Sequence, residues 1–200
     1  MDLEIAEPAS TRRSLIGAIG AAGLASAAAL AVARPASAAP FATTEEDRVL
    51  LDQAMRLELT ARDLYREAID AGVSDDTLLV AETLSTNHGA YAQAIAAVTG
   101  SSAEGRNEEL FAELSGDFDT SDSVAFATAG WNFENSAVAT HTEQMALYES
   151  IDAISLTGSI LVVEARQATV LADIGGFSDD LDKLFDPQPE PFVLTGGEES

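Results

Sequence analysis

The 200 residues carry 34 aspartates and glutamates against 10 lysines and arginines, a net charge of −24, and no cysteine. The length suffices for one domain with a real core, and so large an acidic excess repels phosphates and anionic membrane surfaces, which excludes a nucleic-acid role. Without cysteine there is no disulfide framework, no thiolate metal site and no cysteine nucleophile.

Residues 1–38 read as an address rather than as structure. Arg12 and Arg13 stand directly before a weakly hydrophobic run, Leu15 to Ala33, and Ala36-Ser37-Ala38 supplies a small-x-small cleavage site. The segment resembles a twin-arginine export signal cleaved after Ala38, which implies the export machinery as a partner and a periplasmic, envelope or extracellular location. The alternative is an uncleaved anchor; a run so rich in Ala and Gly makes a poor membrane helix, and no stable insertion is expected after cleavage. Residues 1–38 hold three acids and three arginines, so the mature chain keeps the charge of −24.

The mature domain, residues 39–194, shows helical periodicity and no persuasive strand. Thr43 with Glu46 predicts a capping box. The first helix follows with the inner row Leu51, Ala54, Glu58, Ala61, Tyr65 and Ala68, and Gly72 ends it. The second opens at Ser74, with Asp75 and Asp76 in its first turn; it carries Leu78, Ala81, Ser85, His88, Ala92 and Ile95 inward and closes at Gly100. Residues 101–120 form a polar crossover with a short surface helix over Asn107 to Leu114. After the capping region Thr120-Ser121, the third long helix runs to about Glu149 on the row Val124, Ala127, Trp131, Glu134, Val138, His141, Met145 and Tyr148. The fourth, from about Ala153 to Ile174, carries Ala153, Thr157, Ile160, Glu164, Gln167, Leu171 and Ile174 and stops at Gly175-Gly176. Residues 177–194, with prolines at 187, 189 and 191, predict an extended tail wrapped over the bundle by Phe185, Phe192 and Leu194, ahead of a loose acidic terminus at 195–200. Short first and third connections with one long middle connection predict an all-α four-helix bundle with a single crossover between helices two and three.

Each inner row is broken by polar residues near its middle: Glu58; Ser85 and His88; Glu134 and His141; Glu164 and Gln167. A buried charge must be protonated, paired or bound to metal. Three carboxylates and a histidine meeting at one level of a bundle point to a hard-metal site. His141 lies two turns beyond Glu134, which predicts an interior histidine outside the layer rather than a ligand. Tyr65 predicts packing with a hydrogen bond to a carboxylate, and Glu82 a place on the surface.

Leu57-Glu58 with Tyr65 seven residues beyond Glu58, the stretch Phe133 to Ala139, and Val163-Glu164-Ala165-Arg166 resemble the helix motifs of the ferritin-like family that includes desiccation-related proteins; the likeness covers residues 43–194. The resemblance implies a ferritin-like bundle and a di-iron carboxylate site, one glutamate from each of two helices and a Glu-x-x-His pair from each of the others. Glu58 and Glu134 match the single glutamates, and His88 and Glu164 match one histidine and one bridging glutamate. Ser85 stands where the other bridging glutamate belongs, Gln167 stands where the other histidine belongs, and His141 takes a place where the family often has a tyrosine. A hydroxyl and an amide are weak replacements on iron, which argues against efficient oxygen chemistry at a bridged pair.

Three readings stay open. The bundle is a metal-free scaffold with Glu58 paired to Arg62; or it holds one iron, manganese or zinc ion through Glu58, His88, Glu134 and Glu164; or it is a di-metal oxidase or ferroxidase that recruits Glu82, His141 or Gln167. The residues favour a non-catalytic, stress-related role, with no catalytic residue assigned. A surface-binding or assembly role, including a homo-oligomer, is the reading suggested by the acidic tail and its phenylalanines. No phosphate loop, nucleophile elbow or HExxH sequence is present.

Overall fold

The computed structural model describes residues 43–185 and 187–194; the proposed export signal (1–38) and acidic terminus (195–200) lie outside the described residues. Among the described residues six helices run in order: α1 (Glu45–Ala71), α2 (Asp75–Thr99), α3 (Glu108–Phe118), α4 (Ser123–Met145), α5 (Ile151–Ile174) and α6 (Leu181–Phe185). The described residues contain no strand. The long helices α1, α2, α4 and α5 form the bundle, with α1 against α2 and α4 against α5 as its two hairpins, and α3 in the crossover.

The capping box of α1 sits one residue later than the sequence suggests. Thr44 Oγ1 accepts from the Asp47 N–H at 3.1 Å, and Asp47 Oδ2 accepts from the Thr44 N–H at 3.3 Å. Asp47 takes the inner position because it has a second task across the bundle. Its carboxylate accepts the N–H groups of Glu149 and Ser150 at 2.8 and 2.9 Å, just past the end of α4. The start of α1 therefore lies beside the end of α4, and Tyr65 near the other end of α1 meets Phe126 near the start of α4. The two helices are antiparallel. Gly72 and Gly100 stop α1 and α2 in the left-handed conformation, as their positions predict.

The inner row of α1 is buried throughout, Leu51 contributing about 1.5–3 kcal/mol of transfer free energy. Helix α4 differs from expectation. Val124 is exposed and Val138 and Met145 are only half-buried, while Phe126, Gly130, Phe133 and Ala137 join Ala127, Glu134 and His141 inside. This helix touches α1, α3 and α5, so its buried arc is wider than one row. Gly130 marks the tightest approach, where an added Cβ would stand 3.1 Å from Leu171 Cδ1 and 3.4 Å from Tyr65 Cε1. The helix also ends at Met145, and α5 begins at Ile151, capped by Ser150.

The crossover helix is longer and deeper than a surface helix. Asn107 caps it, and Thr60 Oγ1 of α1 receives the Asn107 N–H at 3.0 Å. Leu110 and Phe118 are buried, Phe118 packing edge-on against Tyr65, Phe126 and Phe133. In the tail, the Phe192 N–H donates to Thr140 Oγ1 at 2.8 Å, its ring lies 5.2 Å from that of Phe133, and Leu194 packs on the same core. Phe185 does not join the wrap and is 83 % exposed. Lys183 docks over the Phe177 ring at 3.8 Å; residues two apart on a helix point to opposite sides, so this contact turns Phe185 outward.

Candidate metal centre

The four bundle helices bring Glu58 (α1), His88 (α2), Glu134 (α4) and Glu164 (α5) to one level, all of them fully or almost fully buried. Glu58 is the hub. Its Oε2 lies 2.6 Å from His88 Nδ1, and its Oε1 lies 2.9 Å from His141 Nε2. His88 reaches on through Nε2 to Glu134 Oε1 at 3.1 Å, and Tyr65 donates its hydroxyl proton to that same oxygen. The Tyr65 carboxylate bond agrees with the sequence expectation. Tyr65 also stacks on His88 with ring centroids 5.6 Å apart, and Tyr91 and Phe133 close the other sides of that imidazole edge-on.

His141 belongs to the layer, which corrects its predicted place two turns away. Its Nε2 is 3.5 Å from Glu164 Oε1 as well as 2.9 Å from Glu58, and its Nδ1 is 3.2 Å from Gln144 Oε1. Side chains on a helix lean toward its N-terminus. Because α1 and α4 are antiparallel, Glu58 leans toward His141 and His141 leans back toward the level of Glu134. The shared inner row Glu134–His141 carried this signal; axial distance alone concealed it.

The other predicted positions fall outside the centre. Ser85 donates its hydroxyl to the Arg62 carbonyl at 3.0 Å, in the groove between α1 and α2. Gln167 Nε2 faces the Tyr91 hydroxyl at 3.4 Å, and Glu82 is exposed. Arg62 does not pair with Glu58; its guanidinium lies 2.7 Å from Asp63, which Arg66 and Arg106 also reach.

The electrostatics follow from burial and these contacts. Burial would raise the Glu58 pKa, but hydrogen bonds from His141 and His88 hold it below the ordinary 4.5. Burial would lower both histidines; Glu134 and Glu58 hold His88, and Glu164 and Glu58 hold His141, well above 6.5. Glu164 is pushed up to about 7 by burial and by Glu58 and Glu134, against the opposing pull of His141. Burial and the Glu134 charge drive Tyr65 far above 10.0, so its hydroxyl remains a donor.

Do these residues fit a metal ion? Among the buried polar atoms without a hydrogen-bond partner in the protein are Glu134 Oε2 and Glu164 Oε2 of the layer and, outside it, Gln167 Oε1. Such orphans are costly and call for a cation, a proton or water. Donor atoms of Glu58, His88 and Glu164 lie within 4.8 Å of one another. This mixed oxygen and imidazole set suits iron, manganese or zinc. The residues fit one ion, and the absence of Ser85 from the layer leaves no α2 carboxylate to bridge a pair.

A family profile described as a ferritin-like domain matches residues 46–176. Comparison with curated proteins and with solved structures yields no match. The match spans α1 to the end of α5, the same helices that build the polar layer, and on it the chain belongs to the ferritin-like domain family.

Proposed function

We propose that this is an exported ferritin-like protein whose degenerate centre holds a single transition-metal ion through Glu58, His88, Glu134 and Glu164 and serves a non-catalytic, stress-related role in the envelope or outside the cell. One observation carries the reading. Residue 85 is a serine that spends its hydroxyl on the Arg62 carbonyl, so α2 offers no carboxylate to hold two metals against each other, while two orphaned carboxylate oxygens, Glu134 Oε2 and Glu164 Oε2, remain in the layer. A bound ion would act there as a charge that satisfies these oxygens and ties four helices together; binding to the folded state alone adds stability by mass action. The side chains contribute positioning. Tyr65 holds Glu134, His88 fixes one oxygen of Glu58, and the rings of Tyr65, Tyr91 and Phe133 wall off His88.

Metal analysis of protein produced through its own export route, combined with oxygen consumption on addition of ferrous iron, separates this reading from an oxidase or ferroxidase. The expected result is one ion per chain and no oxygen uptake beyond that of iron alone. Two irons per chain with protein-dependent uptake would overturn it.

A further inference from the structure

We propose that His141 on α4 is the second imidazole ligand of the centre, taking over from a different helix the role that Gln167 on α5 cannot fill. The inference rests on the reading that the layer binds a metal ion, and it adds a ligand that the helix motifs do not contain.

The chain has two histidines in all. Both are fully buried, and both face the same carboxylate, one oxygen of Glu58 each. Donors bound about 2.0–2.2 Å from one ion lie about 3–3.5 Å from each other. His141 Nε2 stands 2.9 Å from Glu58 Oε1 and 3.5 Å from Glu164 Oε1, so it already has the spacing of a neighbour in a coordination shell to two of the proposed ligands.

The second imidazole nitrogen supports the assignment. The Gln144 amide nitrogen donates to the Leu50 carbonyl at 3.3 Å, which turns its oxygen toward His141 Nδ1 at 3.2 Å. An amide oxygen accepts only, so Nδ1 carries the proton. That leaves Nε2, directed at two carboxylates, as the nitrogen with a lone pair to offer an ion. Metal-binding histidines are commonly held in this way, by an acceptor on the far nitrogen. Gln144 is itself buried and sits one turn after His141 on the same helix.

The test uses the mature chain, stripped of metal by chelator and titrated with cobalt(II). Paramagnetically shifted imidazole N–H signals count the coordinated histidines, and with only His88 and His141 in the sequence the assignment is unambiguous. The wild type is expected to show two such signals, and His141→Gln one, with affinity falling about 100-fold or more; Gln144→Leu is expected to lose about 10- to 100-fold. Circular dichroism of the metal-free variants controls for folding. A wild type that binds cobalt with a single shifted N–H, unchanged in His141→Gln, overturns the assignment and leaves the proposed function standing. A wild type that binds no cobalt overturns both.

Discussion

A carboxylate sealed from water keeps its charge only if cations or hydrogen-bond donors lie against it, and Glu58 has two such neighbours in His88 and His141. In the metal-free protein this arrangement makes stability depend on pH in a defined sense. His88, His141 and Glu164 have folded-state pKa values above their ordinary ones, so their stabilisation is present below 6.5 for the histidines and 4.5 for Glu164, and is lost as pH rises through the folded values. Glu58 and Asp47 are shifted down; the Asp47 carboxyl, which burial alone would raise, is lowered by the Ser150, Glu149 and Thr44 hydrogen bonds. Their stabilisation is lost as pH falls below 4.5 and 3.8. Chelator-treated protein is therefore expected to be most stable near about pH 4.5 and to lose stability steadily as the pH rises toward 7. Glu164, moving from 4.5 to about 7, accounts for a decline on the order of 3 kcal/mol by neutral pH. Urea-unfolding midpoints from pH 3 to 9 check this, and a profile that is flat above pH 5 contradicts it. A bound metal should reverse the alkaline trend, since imidazole must shed its proton to bind.

Among the elements, α4 shows how packing overrides a simple row. Its apolar residues at 3.6-residue spacing leave several faces eligible, and contact with α1, α3 and α5 selects a broad one that excludes Val124 and includes Gly130. The missing side chain at 130 lets the Leu171 methyls and the Tyr65 ring approach, and Tyr65 in turn holds Glu134. Gly130→Val is expected to destabilise the bundle by about 1–3 kcal/mol through overpacking and to weaken metal binding by displacing Tyr65. Thermal unfolding together with cobalt titration would measure both, and a variant as stable as the wild type with unchanged affinity would show that the close approach has no such role. The crossover carries the same lesson. Residues 101–120 look polar in sequence because most of α3 is solvated, yet Phe118 anchors the segment over Tyr65 and Leu110 is buried as well.

Across the whole molecule, the charge is one-sided. A chain at −24 keeps copies of itself apart at low ionic strength, and its few cations are concentrated, with Arg62, Arg66 and Arg106 converging on Asp63. These contacts fasten the crossover to α1. One described helix, α5, is long and apolar enough to cross a membrane by length and composition alone, but it is a wall of this bundle and turns Glu164 and Gln167 inward. The proposed export is tested in residues 1–38: replacing Arg12 and Arg13 together by lysine should hold the chain inside the cell as uncleaved precursor, about 38 residues longer than the exported form. Immunoblots of cell fractions would show this, and normal export of the variant would sink the proposal.

The sequence by itself determined the four helices, the crossover connectivity and the burial of Glu58, His88, Glu134 and Glu164, because each follows from local spacing: apolar residues three and four apart, glycines at helix ends, and polar residues interrupting otherwise apolar rows. Only the tertiary structure decided which polar groups meet. Ser85 and His88 share one helix face, yet Ser85 turns to the α1 backbone while His88 enters the layer. His141, two turns from Glu134 along the axis, arrives beside Glu58 because antiparallel helices tilt their side chains toward each other. Spacing along a helix sets which face a residue occupies; the level it reaches across a bundle depends on the direction and offset of the neighbouring helix, which no single row contains.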